Sequence, residues 1–78
     1  MAISAYVLIQ TEVGQAGHVA TAVRKIGGVI AADDVTGPYD VIVRTEAESL
    51  DDLGRAVVSQ IHAVPGITRT FTCPVVNL

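Results

Sequence analysis

The chain alternates between two spacings of apolar residues, one of period two and one near period four. Residues 3–12 put Ile3, Ala5, Val7 and Ile9 on one side of an extended strand and Ser4, Tyr6, Leu8 and Gln10 on the other. Since the second side is also half apolar, both faces of this strand should be covered, one by helices of the same chain and the other by a second subunit. Residues 15–26 carry Val19, Ala22, Val23 and Ile26 at the spacing of a helix stripe, with Arg24 and Lys25 in the last turn and Gly27-Gly28 as a stop. Strand character returns from Val29 to about Thr36, turns at Gly37-Pro38, and resumes as a third strand over residues 39–45. Ser49 is a good N-cap, with Asp52 three residues later, for a helix whose stripe is Leu50, Leu53, Val57, Ile61 and Val64. Pro65-Gly66 ends it. Residues 67–76 form the last strand, with Phe71 and Cys73 on one face and Thr68, Thr70 and Thr72 on the other. The order βαββαβ predicts an α+β, ferredoxin-like fold: a four-stranded antiparallel sheet with two helices on one face, pairing as a dimer through the other.

Length sharpens the expectation of a dimer. Residues 1–78 make a single domain, and a chain this short buries only about 60–65% of its unfolded surface. Small domains close such a deficit with disulfides, a metal or a partner subunit. Cys73 is the only cysteine, and His18 and His62 have no ligand-like neighbours, so a partner subunit remains. No cofactor or metal is expected. No apolar run approaches the ~18 residues of a membrane span, and Met1 to Val7 lacks the pattern of a signal peptide. A cytoplasmic protein is expected. Net charge is −3, and the bases Arg24, Lys25, Arg44, Arg55 and Arg69 are scattered, which argues against direct nucleic-acid binding.

Catalytic patterns are missing from the sequence. No nucleophile elbow or Walker loop occurs, and Asp33-Asp34 are adjacent in a strand, so they point to opposite faces and cannot act as a pair. His18 and His62 fall on exposed helical positions, and Cys73 reads as a small core residue. The chain is expected not to be an enzyme. Two stretches suit a ligand. In Val35-Thr36-Gly37-Pro38-Tyr39-Asp40, turn amides beside a carboxylate fit a zwitterion, the amides taking its carboxylate and Asp40 its ammonium. In Arg69-Thr70-Phe71-Thr72, hydroxyls on a face covered by another subunit must find partners, and a trapped polar ligand would supply them.

These stretches resemble the ligand-binding (RAM) domain of the Lrp/AsnC regulators, whose hairpin carries Gly-x-Tyr-Asp and whose last strand carries Arg-Thr-x-Thr after a Pro-Gly turn. The element order and the strand Ala5-Tyr6-Val7-Leu8-Ile9 agree with it. The resemblance implies homodimers that pair sheet to sheet and assemble into octamers or similar rings, with an amino-acid effector between dimers. By position it implies ligand contacts from Gly37, Tyr39 and Asp40 on one side and from Thr70 and Thr72 on the other. Full-length relatives begin with a helix-turn-helix domain, which this chain lacks, so it resembles the stand-alone members. Such a module would modulate the transcription of amino-acid metabolism without binding DNA, in one version by co-assembling with a full-length Lrp/AsnC regulator. Two alternatives share the element order. An ACT-type amino-acid-binding domain would use the loop after the first strand, Glu12-Val13-Gly14-Gln15. A dimeric α/β-barrel enzyme would need Asp40 or His62 as its acid or base. A purely structural assembly module is a third reading.

Overall fold

The computed structural model describes residues 2–77. Its elements are β1 (Ile3–Thr11), α1 (Ala16–Val23), β2 (Val29–Asp34), β3 (Val41–Ala47), α2 (residues 50–62) and β4 (Ile67–Pro74). They form one antiparallel sheet in the order β2-β3-β1-β4 with both helices on one face, the ferredoxin-like arrangement. β1 is central and pairs with β3 from Ile3↔Ala47 to Ile9↔Val41, and with β4 from Ala5↔Pro74 to Gln10↔Arg69. The register with β4 then slips between Gln10 and Thr11. β2 joins β3 with a second irregularity at Ile30.

The core lies between the sheet and the helices. Ala5, Val7 and Ile9 meet Val41 and Val43 across the ladder, and Val19, Ala20 and Val23 with Leu53, Val57 and Ile61 close over them, all at most 2% exposed. The one buried polar residue described, Thr45, donates its hydroxyl proton to the Ala5 carbonyl at 3.1 Å, so its burial leaves no unmet hydrogen bond. Gly28, at φ +93°, lies where an added Cβ would sit 2.7 Å from Val57 Cγ2. Only glycine permits α2 to come that close.

Both helices depart from the expected pattern. α1 ends at Val23 rather than Ile26, and its buried stripe takes Ala20 in place of Ala22. Arg24 therefore leaves the last turn, and its guanidinium donates from Nε and Nη2 to the Ala32 carbonyl on the free edge of β2, at 3.1 and 2.7 Å. α2 is α-helical at Leu50–Asp52 and Ser59–His62 but π-helical at Leu53–Val58. There the Ser59 N–H reaches back five residues to the Gly54 carbonyl. Side chains also bond carbonyls of this stretch, Ser59 Oγ donating to Arg55 and Gln60 Nε2 to Ala56 at 2.6 Å. Leu53, Val57 and Ile61 still face the core, whereas Leu50, placed in the stripe on sequence, is 62% exposed. Ser49 caps α2 as expected, accepting the Asp52 N–H at 3.1 Å.

The last strand corrects the largest expectation. Antiparallel partners share a face, and Thr70 and Thr72 oppose Ile9 and Val7 of the core. The two threonines therefore look toward α2, not toward a second subunit. Phe71 and Cys73 oppose Leu8 and Tyr6 on the uncovered face, where Phe71 is 44% exposed and Cys73 is exposed rather than part of the core.

Candidate ligand site

The loop between β2 and β3 runs from Val35 to Asp40, longer than the two-residue turn expected at Gly37-Pro38. Its ends are closed by the Val35 N–H donating to the Asp40 carbonyl at 2.9 Å. Four further bonds tie it to the end of β1. The Asp40 N–H donates to the Ile9 carbonyl at 2.9 Å, and Gln10 Nε2 donates to the Pro38 carbonyl at 3.0 Å. Asp40 Oδ2 accepts the Thr11 N–H at 2.8 Å, with the Thr11 hydroxyl at 3.3 Å. Thr11 lies beyond Ile9↔Val41, the last pair of the β1–β3 ladder, so the Asp40 carboxylate takes the place of a ladder acceptor for its amide. Asp40 is thus a latch on the loop through one carboxylate oxygen, and Oδ1 has no partner among the described residues. Gly37, at φ +131°, is exposed with no atom within 4 Å of an added Cβ, so the backbone at the loop tip is open to a ligand.

Tyr39 is half-buried and packs edge-on against Phe71, ring centroids 5.9 Å apart at 76°. The Arg69 guanidinium lies 5.6 Å from the same Phe71 ring. These three side chains gather at one end of the uncovered sheet face. Toward its other end Arg44 lies 6.0 Å from the Tyr6 ring, and Leu8 and Ile42 fill the middle, paired across β1 and β3. This face carries a contiguous apolar patch that no element of the chain covers.

The predicted site residues fall into two groups. Gly37, Tyr39 and Asp40 come together on the loop. Thr70 and Thr72 do not join them, since their side chains lie on the opposite face of the sheet from Phe71, which Tyr39 touches. Thr70 Oγ1 is instead 2.7 Å from His62 Nε2 at the end of α2. In one chain the groups are separate, and a ligand touching both needs a second chain. Sequence reasoning missed Phe71 as the neighbour of Tyr39, Arg69 as the neighbour of Phe71, and Thr11 as the partner of Asp40. A polar pair, Gln10-Thr11, closing an otherwise apolar strand was the available signal. Asp33 and Asp34 are both exposed on β2, and His18 is exposed on α1. Among the described residues no group of three or more His, Cys, Asp or Glu could hold a metal ion. No helix among the described residues is long and apolar enough to cross a membrane.

Known proteins match this arrangement. The Thermus thermophilus protein TTHA0845 superposes with a TM-score of 0.89 at 26% identity, over 97% of this chain and 95% of that one. A Neisseria meningitidis transcriptional regulator, NMB0573, solved as a complex with L-Met, superposes with a TM-score of 0.82 at 17% identity, over 96% of this chain and 50% of that one, a likeness of fold alone. In sequence, an uncharacterized HTH-type transcriptional regulator of Pyrococcus furiosus is 27% identical over 55 residues, 70% of this chain and 37% of the regulator. The chain thus spans little more than a third of the length of that relative. The family model for the Lrp/AsnC ligand binding domain matches residues 4–77, which decides against the ACT-type alternative. On that match over nearly its whole length, the chain belongs to the Lrp/AsnC ligand-binding domain family.

Proposed function

We propose that this chain is an effector-sensing and assembly module: it binds an amino acid, changes its state of association in response, and so modulates transcription in the cytoplasm without catalysis. The observation that carries this reading is the latched Gly37-Pro38-Tyr39-Asp40 loop standing at the rim of an uncovered apolar sheet face. Tyr6, Leu8, Ile42 and Phe71 give that face the composition of an interface core, with Arg44 and Arg69 beside its aromatics. A second copy laid face to face buries the patch on both chains and supplies the burial a 78-residue domain lacks alone.

Dimers then associate, to an octamer or a similar ring, with the loop of one chain meeting β4 of a chain in another dimer. At that seam the open backbone at Gly37 receives the effector carboxylate, and the unpaired Oδ1 of Asp40 receives its ammonium. Tyr39 forms a wall, and Thr70 and Thr72 of the neighbouring chain complete the contacts. The L-Met complex of the Neisseria regulator supports an amino acid as the effector class. The regulatory role draws on the helix-turn-helix regulators among the relatives, and a full-length regulator of this family is a natural partner for co-assembly. A net charge of −3 with dispersed bases favours control without direct DNA contact.

Thermal unfolding in the presence of each of the twenty amino acids at millimolar concentration tests the reading. A ligand at ~100 times its Kd adds ~2.7 kcal/mol, several degrees for a domain of this size. One or a few amino acids should raise the melting temperature, and the rise should vanish in Tyr39→Ala and Asp40→Asn. No rise with any of the twenty would remove amino acids as the effector class.

A further inference from the structure

Two opposite charges stand at opposite edges of the uncovered sheet face. Antiparallel partners share a face, so Asp33 on β2, opposite Ile42, and Arg69 on β4, opposite Gln10, both look outward on it. Both are exposed, and among the described residues the one salt bridge joins Arg55 to Asp51 on α2. Asp33 and Arg69 cannot meet within a chain, because β3 and β1 lie between them, three strand spacings or about 14 Å. The same two edges carry exposed apolar residues further along the strands. Ile30, in the irregular stretch of β2, is 57% exposed, and Val75 and Val76, which follow β4, are 42% and 72% exposed. The Val75 N–H donates to the Ser4 carbonyl at 2.8 Å, which sets it within two rungs of Ile30 on the ladder.

A two-fold axis can lay a second copy on this face in two ways. An axis across the strands keeps the strand order. With Leu8 and Ile42 at the centre it sets each Asp33 over its own copy and leaves Arg69 at the far edge from any Asp33. An axis along the strands reverses the order, so every residue keeps its height while β2 comes over β4 and β3 over β1. Ile42 then meets Leu8 of the second copy, Arg44 meets Tyr6, and Glu46 meets Ser4. Asp33 comes to the height of Phe71, where the Arg69 guanidinium lies 5.6 Å from the ring. Ile30 comes beside Val75 and Val76. Of the two arrangements, this one matches both the edge charges and the edge apolar residues, twice per pair.

We propose that Asp33 and Arg69 select the partner of this domain: a chain pairs with it when it sets a base of its last strand against Asp33 and an acid of its second strand against Arg69. The proposal rests on the sheet-to-sheet pairing given above, and adds its orientation and a rule for co-assembly. A second copy of this chain meets the rule. A related chain with either charge reversed is refused, since like charges then face each other in the contact.

Asp33→Arg, Arg69→Asp and the double variant test this by static light scattering over a dilution series at low ionic strength, each checked for folding by circular dichroism. Both positions are exposed, so the core is untouched. Each single variant sets like charges together at both edges and should self-associate at least about tenfold more weakly than the parent. An equal mixture of the two single variants should recover the association of the parent. So should the double variant, whose net charge is again −3. Single variants that assemble as well as the parent, or a double variant as weak as either single one, would overturn the rule and leave the sheet-to-sheet pairing standing. A parent that is monomeric throughout would remove the pairing and the rule together.

Discussion

Removing the Asp40 carboxylate should cost stability in its own right, before any ligand is considered. Asp40→Ala leaves the Thr11 N–H and hydroxyl without their acceptor, while the Asp40 N–H still reaches Ile9. A hydrogen bond to a charged acceptor contributes about 1.5–3 kcal/mol. Here both partners are only part-buried, and water replaces some of the lost bonding, so about 1–2 kcal/mol is the reasonable expectation. For a domain of this size about 4–8 °C accompanies each kcal/mol, giving a fall in melting temperature of roughly 5–15 °C. Asp40→Asn keeps an oxygen at the same place and should lose about half as much. Thermal unfolding by far-ultraviolet circular dichroism, at one fixed protein concentration because assembly adds to stability, measures both. Amide exchange at Thr11 gives a local check, since its protection should fall in Asp40→Ala more than that of Val7. An Asp40→Ala protein melting within about a degree of the parent would refute the latch, since about 1–2 kcal/mol of hydrogen bonding would have disappeared without effect. The Asn variant also separates the two roles of this residue. It nearly preserves the loop while removing the charge that an effector ammonium needs.

Two glycines should respond in opposite directions to the same substitution. Gly28→Ala forces a Cβ to 2.7 Å from Val57 Cγ2 and 3.0 Å from the Glu46 carbonyl at a positive φ, so overpacking and strain together should cost about 2–4 kcal/mol, read as a lower urea midpoint at unchanged slope. Gly54→Ala meets open space in a helical backbone and should gain about 0.4–1 kcal/mol by the same measurement.

How much of this was legible in the sequence depended on whether the controlling contact was local. The face of β1 carrying Ala5, Val7 and Ile9 was written in its alternation, and the stripe Leu53, Val57, Ile61 in its spacing, because each period is a property of one element. The facing of β4 was not. Phe71 and Cys73 are its more apolar positions and suggested the core, but the face is fixed by the pairing of Thr72 with Val7, a contact across 65 residues of chain that a one-residue slip would invert. The π-helical turn of α2 is likewise accompanied by side-chain bonds to the Arg55 and Ala56 carbonyls, a feature the apolar stripe does not register. For the ligand site, the loop Gly37-Pro38-Tyr39-Asp40 was visible because turn residues and chemistry coincide in one stretch. Its ties to Gln10 and Thr11 were hidden, since they join segments almost 30 residues apart.

The central claim, that this domain works as an assembly built on its uncovered sheet face, is most directly tested by the solution mass of the intact chain and of Phe71→Glu, measured by static light scattering at micromolar concentration. Phe71 is 44% exposed on that face, so the substitution leaves the core intact while placing a carboxylate in the contact. The account predicts a mass of two or more chains for the parent and a folded protein of lower mass for the variant. A parent that stays monomeric, or a folded variant with undiminished mass, would contradict it.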